Sequence, residues 1–322
     1  MTTKIDIFTH ILTPKYKEAL DKKARHSGYQ ELNDLSPTLC DLETRFRIMD
    51  RYEGLRQVLT IAAPPLESVV DPTTAAELAQ TANDEMAELV EKYPDRFVAA
   101  VAALPMNNID AALRETDRAI KELNCKGIQI YTPSNGKPLD SPEFMPLYEK
   151  MSEYDLPIWI HPAGERDVPD YEGEGHSRHA LWMLIRWPYE TTAAMARLVF
   201  SGVLEKYPNI KFITHHCGAM VPFFAQRIGG VPRKWLSKLP IEYLRMFYGD
   251  TAINGNVLAL MCGYAFFGAD HIVFGTDMPF PDREGSQTTE QTITAIGAMD
   301  IPESDKKKIF AGNAKRLLHL SV

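Results

Sequence analysis

The sequence predicts an α/β fold, a single (β/α)8 TIM barrel spanning residues 1–322 with insertions after strands one and five. Three observations predict it. Eight short β-branched or apolar runs recur along the chain, most of them followed by a longer stretch with helical spacing, the rhythm of βα units around a parallel sheet. No Gly-rich nucleotide fingerprint follows the first run, and a doubly wound open sheet would need fewer strands. No repeat, low-complexity tract or Gly/Ser linker interrupts the chain, and single barrels commonly reach this length.

In order, the predicted strands are Lys4–Phe8, Gln57–Ala62, Phe97–Leu104, Gly127–Tyr131, Pro157–His161, Lys211–His215, Phe247–Asp250 and Ile272–Gly275. Amphipathic stretches between them, Asp41–Glu53, Thr74–Tyr93, Asp110–Leu123, Pro142–Tyr154 and Glu190–Tyr207, predict helices, several bounded by Pro or by a Ser, Thr, Asp or Asn cap. Thr13–Thr38 and Ala163–Pro188 are long and polar. As insertions after strands they are expected over the C-terminal mouth, as lids or specificity loops.

Hydrophobic residues make up 45% and charged residues 24% of the chain, enough apolar surface to bury a full core. The net charge of −8 leaves no electrostatic footprint for phosphate backbones, so no nucleic-acid partner is expected. The opening MTTKIDIFTHIL has no basic and apolar leader, and no apolar run approaches the ~18 residues of a membrane span. Cys40, Cys125, Cys217 and Cys262 form no CxxC pair. A cytoplasmic protein without a membrane partner or disulfide framework is the expectation.

The residues able to carry chemistry lie at strand ends. His10 follows strand one, His161 ends strand five, His215 and His216 end strand six in KFITHHCG, and Asp277 closes strand eight in IVFGTDMPF. A lone strand-end His is commonly a hydrogen-bonded rim residue, and Asp in GTD a turn cap. Together these residues converge on one mouth of a barrel, where imidazoles and a carboxylate suit one divalent metal, Zn²⁺ first, with Mn²⁺ or Fe²⁺ as alternatives. Cys217 has no orienting triad and reads as packing rather than as a nucleophile.

The motifs DIFTHI, WIHP, THHCGAMVPF and FGTDMPFP, with WPYETTAAMARLVFSGVLEKYPNIKF between the second and third, resemble the amidohydrolase-2 branch of the amidohydrolase superfamily, from Lys4 to about Leu318. The resemblance implies a metal-dependent decarboxylase of a small aromatic or unsaturated carboxylic acid, working as a homodimer or higher homo-oligomer. It implies that His10, His161 and Asp277 bind the metal and that His216 and Asp277 handle the proton that replaces CO₂. His216 is preferred over His215 because its spacing to Gly218 and Pro222 fits the motif, and His215 is expected on the opposite face of the strand.

One position departs from the pattern. Phe8 stands where the family carries the first His or Glu of its metal motif, and by period two it shares a face with Asp6 and His10. It is expected to point into the site as an aromatic wall against substrate, leaving three protein ligands; His176, His179 and Glu43 are conceivable replacements. Arg47, in ETRFRIMD, resembles a family arginine that binds the substrate carboxylate, with Arg45 more simply a helix-face residue. Asp250 is either a site residue or a helix cap, and His176 and His179 are expected in a lid or on the surface. Two other functions stay open: a hydrolase or hydratase using metal-activated water with His216 as base, and a barrel with reduced catalysis that partners an active paralogue.

Overall fold

A computed structural model describes residues 3–321. Its wall is eight strands: β1 (Lys4–Ile11), β2 (Leu55–Ile61), β3 in two pieces (Phe97–Ala100 and Ala102–Ala103), β4 (Ile128–Thr132), β5 (Ile158–Pro162), β6 (Phe212–Thr214), β7 (Tyr248–Asp250) and β8 (Ile272–Val273). Neighbours in sequence pair in parallel. At the break in β3 the Val101 N–H donates to the Leu59 carbonyl and the Ala102 N–H to that of Gly127, so the wall continues. Closure lies between the chain's two ends: Ile7 N–H donates to the Phe274 carbonyl (2.9 Å), Asp277 N–H to that of Phe8 (3.0 Å) and His10 N–H to that of Met278 (2.8 Å). The barrel therefore has no free edge.

Strands covered on both faces need continuous apolar sequence, and β1 is buried from Ile5 to Ile11. Trp159 of β5 donates its indole N–H to the Ile7 carbonyl of β1 across the barrel. It marks an interior cluster with Phe8, Val58, Ile213 and Val273, closed by Leu317 at the end of the last helix and Leu318 just after it. The larger core lies between strands and helices. There Pro72–Lys92 buries Ala75, Leu78, Ala79, Ala82 and Met86, and Asp71 caps it by accepting from the N–H groups of Thr73 and Thr74.

Observed boundaries depart from expectation where backbone chemistry intervenes. The helix expected over Glu190–Tyr207 starts at Arg186 and stops at Phe200, because Gly202 turns left-handed (φ 83°) and restarts a short helix over Val203–Lys206. The first insertion folds into helices Pro14–Lys23 and Gly28–Asp34. Among its ties to the second insertion are the Tyr29 hydroxyl, which donates to the Gly164 carbonyl (3.0 Å), and Glu31, which pairs with Arg166 (3.0 Å).

Arg45 is fully buried. It donates to the carbonyl of His10 and to Gln57 Oε1 (2.9 Å), and its charge faces that of Asp6. Asp6 accepts from the Thr276 hydroxyl (2.5 Å) and backbone N–H (3.0 Å), tying β1 to the segment after β8. Burial raises the Asp6 carboxyl to about 7 and lowers Arg45 to about 10. Arg45→Met is expected to cost about 3–5 kcal/mol in denaturant unfolding, because it strips hydrogen bonds and leaves Asp6 without its countercharge.

Glu67, buried and held by the Ser134 hydroxyl (3.2 Å), has its carboxyl raised by burial to about 7. The folded state holds this proton where the unfolded chain would release it, so Glu67 contributes fully below the unfolded carboxyl range, and that contribution is lost as pH rises through about 7. Glu67→Gln should therefore melt higher than the wild type above pH 7 and converge with it in acid, as read by thermal melts across pH.

Candidate metal centre and substrate cavity

β5 and β6 pair with Trp159 beside Ile213 and Ile160 beside Thr214. One step further, that register sets His161 beside His215, on the interior face that Trp159 already occupies. The imidazoles of His161 and His215 lie 5.1 Å apart, centre to centre. The expectation that His215 faces away is thus overturned: period two places it inside with Ile213. His216 reaches the mouth by another route, because the strand ends at Thr214 and the chain turns left-handed at His216 and Cys217 (φ 55° at both).

His10, His161, His215 and Asp277 each bring one ligand atom into a group whose members all lie within 4.8 Å of one another. The His10 Nε2 is 3.0 Å and the His215 Nε2 3.1 Å from the same oxygen, Oδ1 of Asp277. Each imidazole is fixed from behind. The Thr60 hydroxyl donates to the Thr9 carbonyl, so at 3.2 Å it accepts the Nδ1 proton of His10. His161 Nδ1 donates to the Pro162 carbonyl (2.6 Å), and His215 Nδ1 to the Asp250 carboxylate. These partners hold Nδ1 of all three and turn each Nε2 inward.

Asp250 is fully buried and also accepts from the N–H groups of Cys217 (3.0 Å) and Ala252 (3.0 Å); it is a site residue and not the cap of the next helix, which Asn256 supplies. Burial opposes ionisation of Asp277, yet His215 and His10 outweigh it and hold this carboxyl well below its usual range. Burial, with His215 and His10, drives His161 well below the usual imidazole range. For His215 burial opposes the charge, but Asp250 and Asp277 prevail and raise it to about 10. The two carboxylates thus favour positive charge at His215, while burial keeps it off His161.

These residues fit a divalent metal. The His215 Nε2 is buried with no hydrogen-bond partner among the described residues, and three imidazole nitrogens with one carboxylate form a donor set for a borderline dication.

Beside the cluster opens a cavity of about 450 Å³. Its walls are largely apolar, with Trp187, Met183 and Leu184 from the second insertion, Leu32 from the first, and Phe280. Both insertions thus stand over the mouth, as expected. His10, His161, His216 and Asp277 reach the cavity. The His216 Nε2 lies 4.0 Å from Asp277 Oδ2, and burial with the nearby His215 lowers its pKa to about 4.

Two expected substrate contacts are corrected. Arg47 is exposed and donates to the Thr44 hydroxyl (2.7 Å) on its own helix, away from the cavity, because its neighbour Arg45 takes the inward position. Phe8 is fully buried and does not line the cavity: its ring stacks on His215 at 3.9 Å, behind the ligand atoms. His176, His179 and Glu43 are exposed and stand outside the cluster. Cys217 is buried with its thiol pushed up by desolvation, and its sulfur packs against Gly263. Arg283, which no motif singled out, lines the cavity and has no side-chain partner among the described residues.

A barrel with imidazoles and an aspartate converging at its mouth defines a metal-dependent hydrolase or lyase. Residues 5–320 match the amidohydrolase family, and the chain belongs to it. It is 31% identical to gamma-resorcylate decarboxylase of Polaromonas sp., over 100% of both chains. It is 30% identical to 2-amino-3-carboxymuconate-6-semialdehyde decarboxylase of Dictyostelium discoideum, covering 98% of this chain and 92% of that one. Its fold superposes with a TM-score of 0.84, at 28% identity and covering 100% and 98% of the two chains, on dihydroxybenzoic acid decarboxylase of Polaromonas sp. with bound manganese and the inhibitor 2-nitroresorcinol. The expected barrel and carboxy-lyase class therefore stand.

Freshly purified protein is expected to carry one divalent ion per chain by elemental analysis. His161→Ala should lose it while keeping the wild-type far-ultraviolet circular dichroism.

Proposed function

We propose that this chain is a metal-dependent decarboxylase of a small aromatic acid, most simply a hydroxybenzoate, and that the ion is held by at least His10, His161 and Asp277. The supporting observation is the convergence of these ligand atoms at the edge of an apolar cavity sized for one substituted ring. When bound, the ion would supply the positive charge that anchors and orients the substrate's oxygens.

The chain's own residues supply the rest. Trp187 and Phe280 provide apolar surface for the ring. Arg283 takes the part assigned at first to Arg47: its unpaired guanidinium at the cavity rim offers two parallel N–H donors to the carboxylate. His216 moves the proton. It faces the cavity, its Nδ1 is buried without a partner, and Asp277 stands 4.0 Å from its Nε2. The ring carbon gains a solvent-derived proton relayed through His216, the C–C bond breaks, its electron pair restores the ring, and CO₂ leaves.

We take the metal to be Zn²⁺, which suits imidazole nitrogens with one carboxylate, with Mn²⁺ and Fe²⁺ as alternatives. We take the working form to be a cytoplasmic homodimer or higher homo-oligomer; all four cysteines are free thiols. Phe8 favours a second function, a non-catalytic barrel serving an active paralogue. A chain that binds no metal and releases no CO₂ from any hydroxybenzoate would select it.

In D₂O the product should carry one deuterium at the carbon that lost CO₂, with no ¹⁸O from labelled water; ¹⁸O in the product would mark a hydrolase. His216→Asn should lower kcat by ~10²–10⁴-fold while the metal stays bound. Arg283→Ala should raise KM by ~10–100-fold with a smaller change in kcat, as expected for loss of a charge-assisted contact made in the ground state.

A further inference from the structure

Phe8 removes a donor from β1, yet the cluster still presents four ligand atoms, and the additional one comes from the end of β6. We propose that His215 is a metal ligand that takes over the coordination position given up at residue 8, so that the site has exchanged a ligand between two strands. The proposal rests on the metal binding argued above and names the residue that completes it.

Three observations support it. The His215 Nε2 is buried, has no hydrogen-bond partner among the described residues, and is aimed at the oxygen that His10 also faces. Its Nδ1 is committed to Asp250, which leaves Nε2 as the nitrogen that faces the other ligand atoms. Phe8 holds the ring in place by stacking on it at 3.9 Å, with 20° between the planes. Space for this stack depends on Gly275, where a Cβ would come 3.1 Å from the Asp250 Cβ and 3.2 Å from the Phe8 Cβ. Phe8, His215, Asp250 and Gly275 therefore form one packed unit that turns the His215 Nε2 toward Asp277 and the other ligand atoms.

The rival role for His215 is proton transfer to substrate. Geometry speaks against it: His215 is fully buried and absent from the cavity wall, where His216 stands. A group that meets the cluster but not the cavity serves the ion.

The test measures metal binding directly. Apo protein is titrated with Zn²⁺ against a chromophoric chelator, and Cu²⁺-loaded protein is examined by electron spin-echo modulation, which counts bound imidazoles. Wild type and His216→Asn should both show three. His215→Asn should show two and bind Zn²⁺ more weakly by more than the ~10–100-fold typical of losing an outer-sphere partner. Adding Phe8→Glu to His215→Asn should recover most of that loss by returning an oxygen donor on β1. Two imidazoles in the wild type, or full Zn²⁺ affinity in His215→Asn, would overturn the exchange while leaving a metal enzyme. If the wild type binds no divalent ion, metal binding itself falls. Should His215→Asn fail to fold, the wild-type and His216→Asn counts decide alone.

Discussion

Three imidazoles converge only because something outside the cluster holds the far nitrogen of each. The Thr60 hydroxyl, the Pro162 carbonyl and the Asp250 carboxylate engage Nδ1 of His10, His161 and His215, and each bond fixes the ring's orientation. These partners sit on the strands or at their ends, so the barrel's register determines the geometry of the centre. Much of the remaining structure serves that register. Trp159 spans the interior to β1, Arg45 holds the His10 carbonyl, and Asp6 ties β1 to the segment that carries Asp277.

Positive charge is the second organising theme. Asp250 and Asp277 flank His215, whose pKa rises to about 10, while His161 is driven the other way by burial and by its imidazole neighbours. Neighbouring rings pulled in opposite directions mark a site whose protons are coupled and are displaced when a dication enters. The apolar walls strengthen these interactions by excluding water.

Much of this was legible in the sequence. Periodicity gave the eight strands because a buried parallel strand must be apolar along its length, and strand-end placement drew attention to His10, His161 and Asp277. What escaped depended on three-dimensional register and on turns. His215 and His216 are adjacent, and motif spacing alone favoured one as the group facing the site; the pairing of β5 with β6 brings in His215, and the left-handed turn after β6 brings in His216. Arg47 carried a motif but stands on the outer face of its helix. Arg283 carries no motif: it follows the last strand in a loop, and neither pattern nor composition distinguishes it from a solvated arginine.

The barrel closes where its first strand meets the segment after its last, and His10 and Asp277 lie on the two sides of that seam. In the proposed site, an ion held by both is a clasp joining the two sides of that seam. It contributes nothing until nearly all of the polypeptide has been made, since the aspartate emerges from the ribosome long after the first histidine. Under that proposal, metal loading reports on completed barrels and favours the closed form over partly assembled chains.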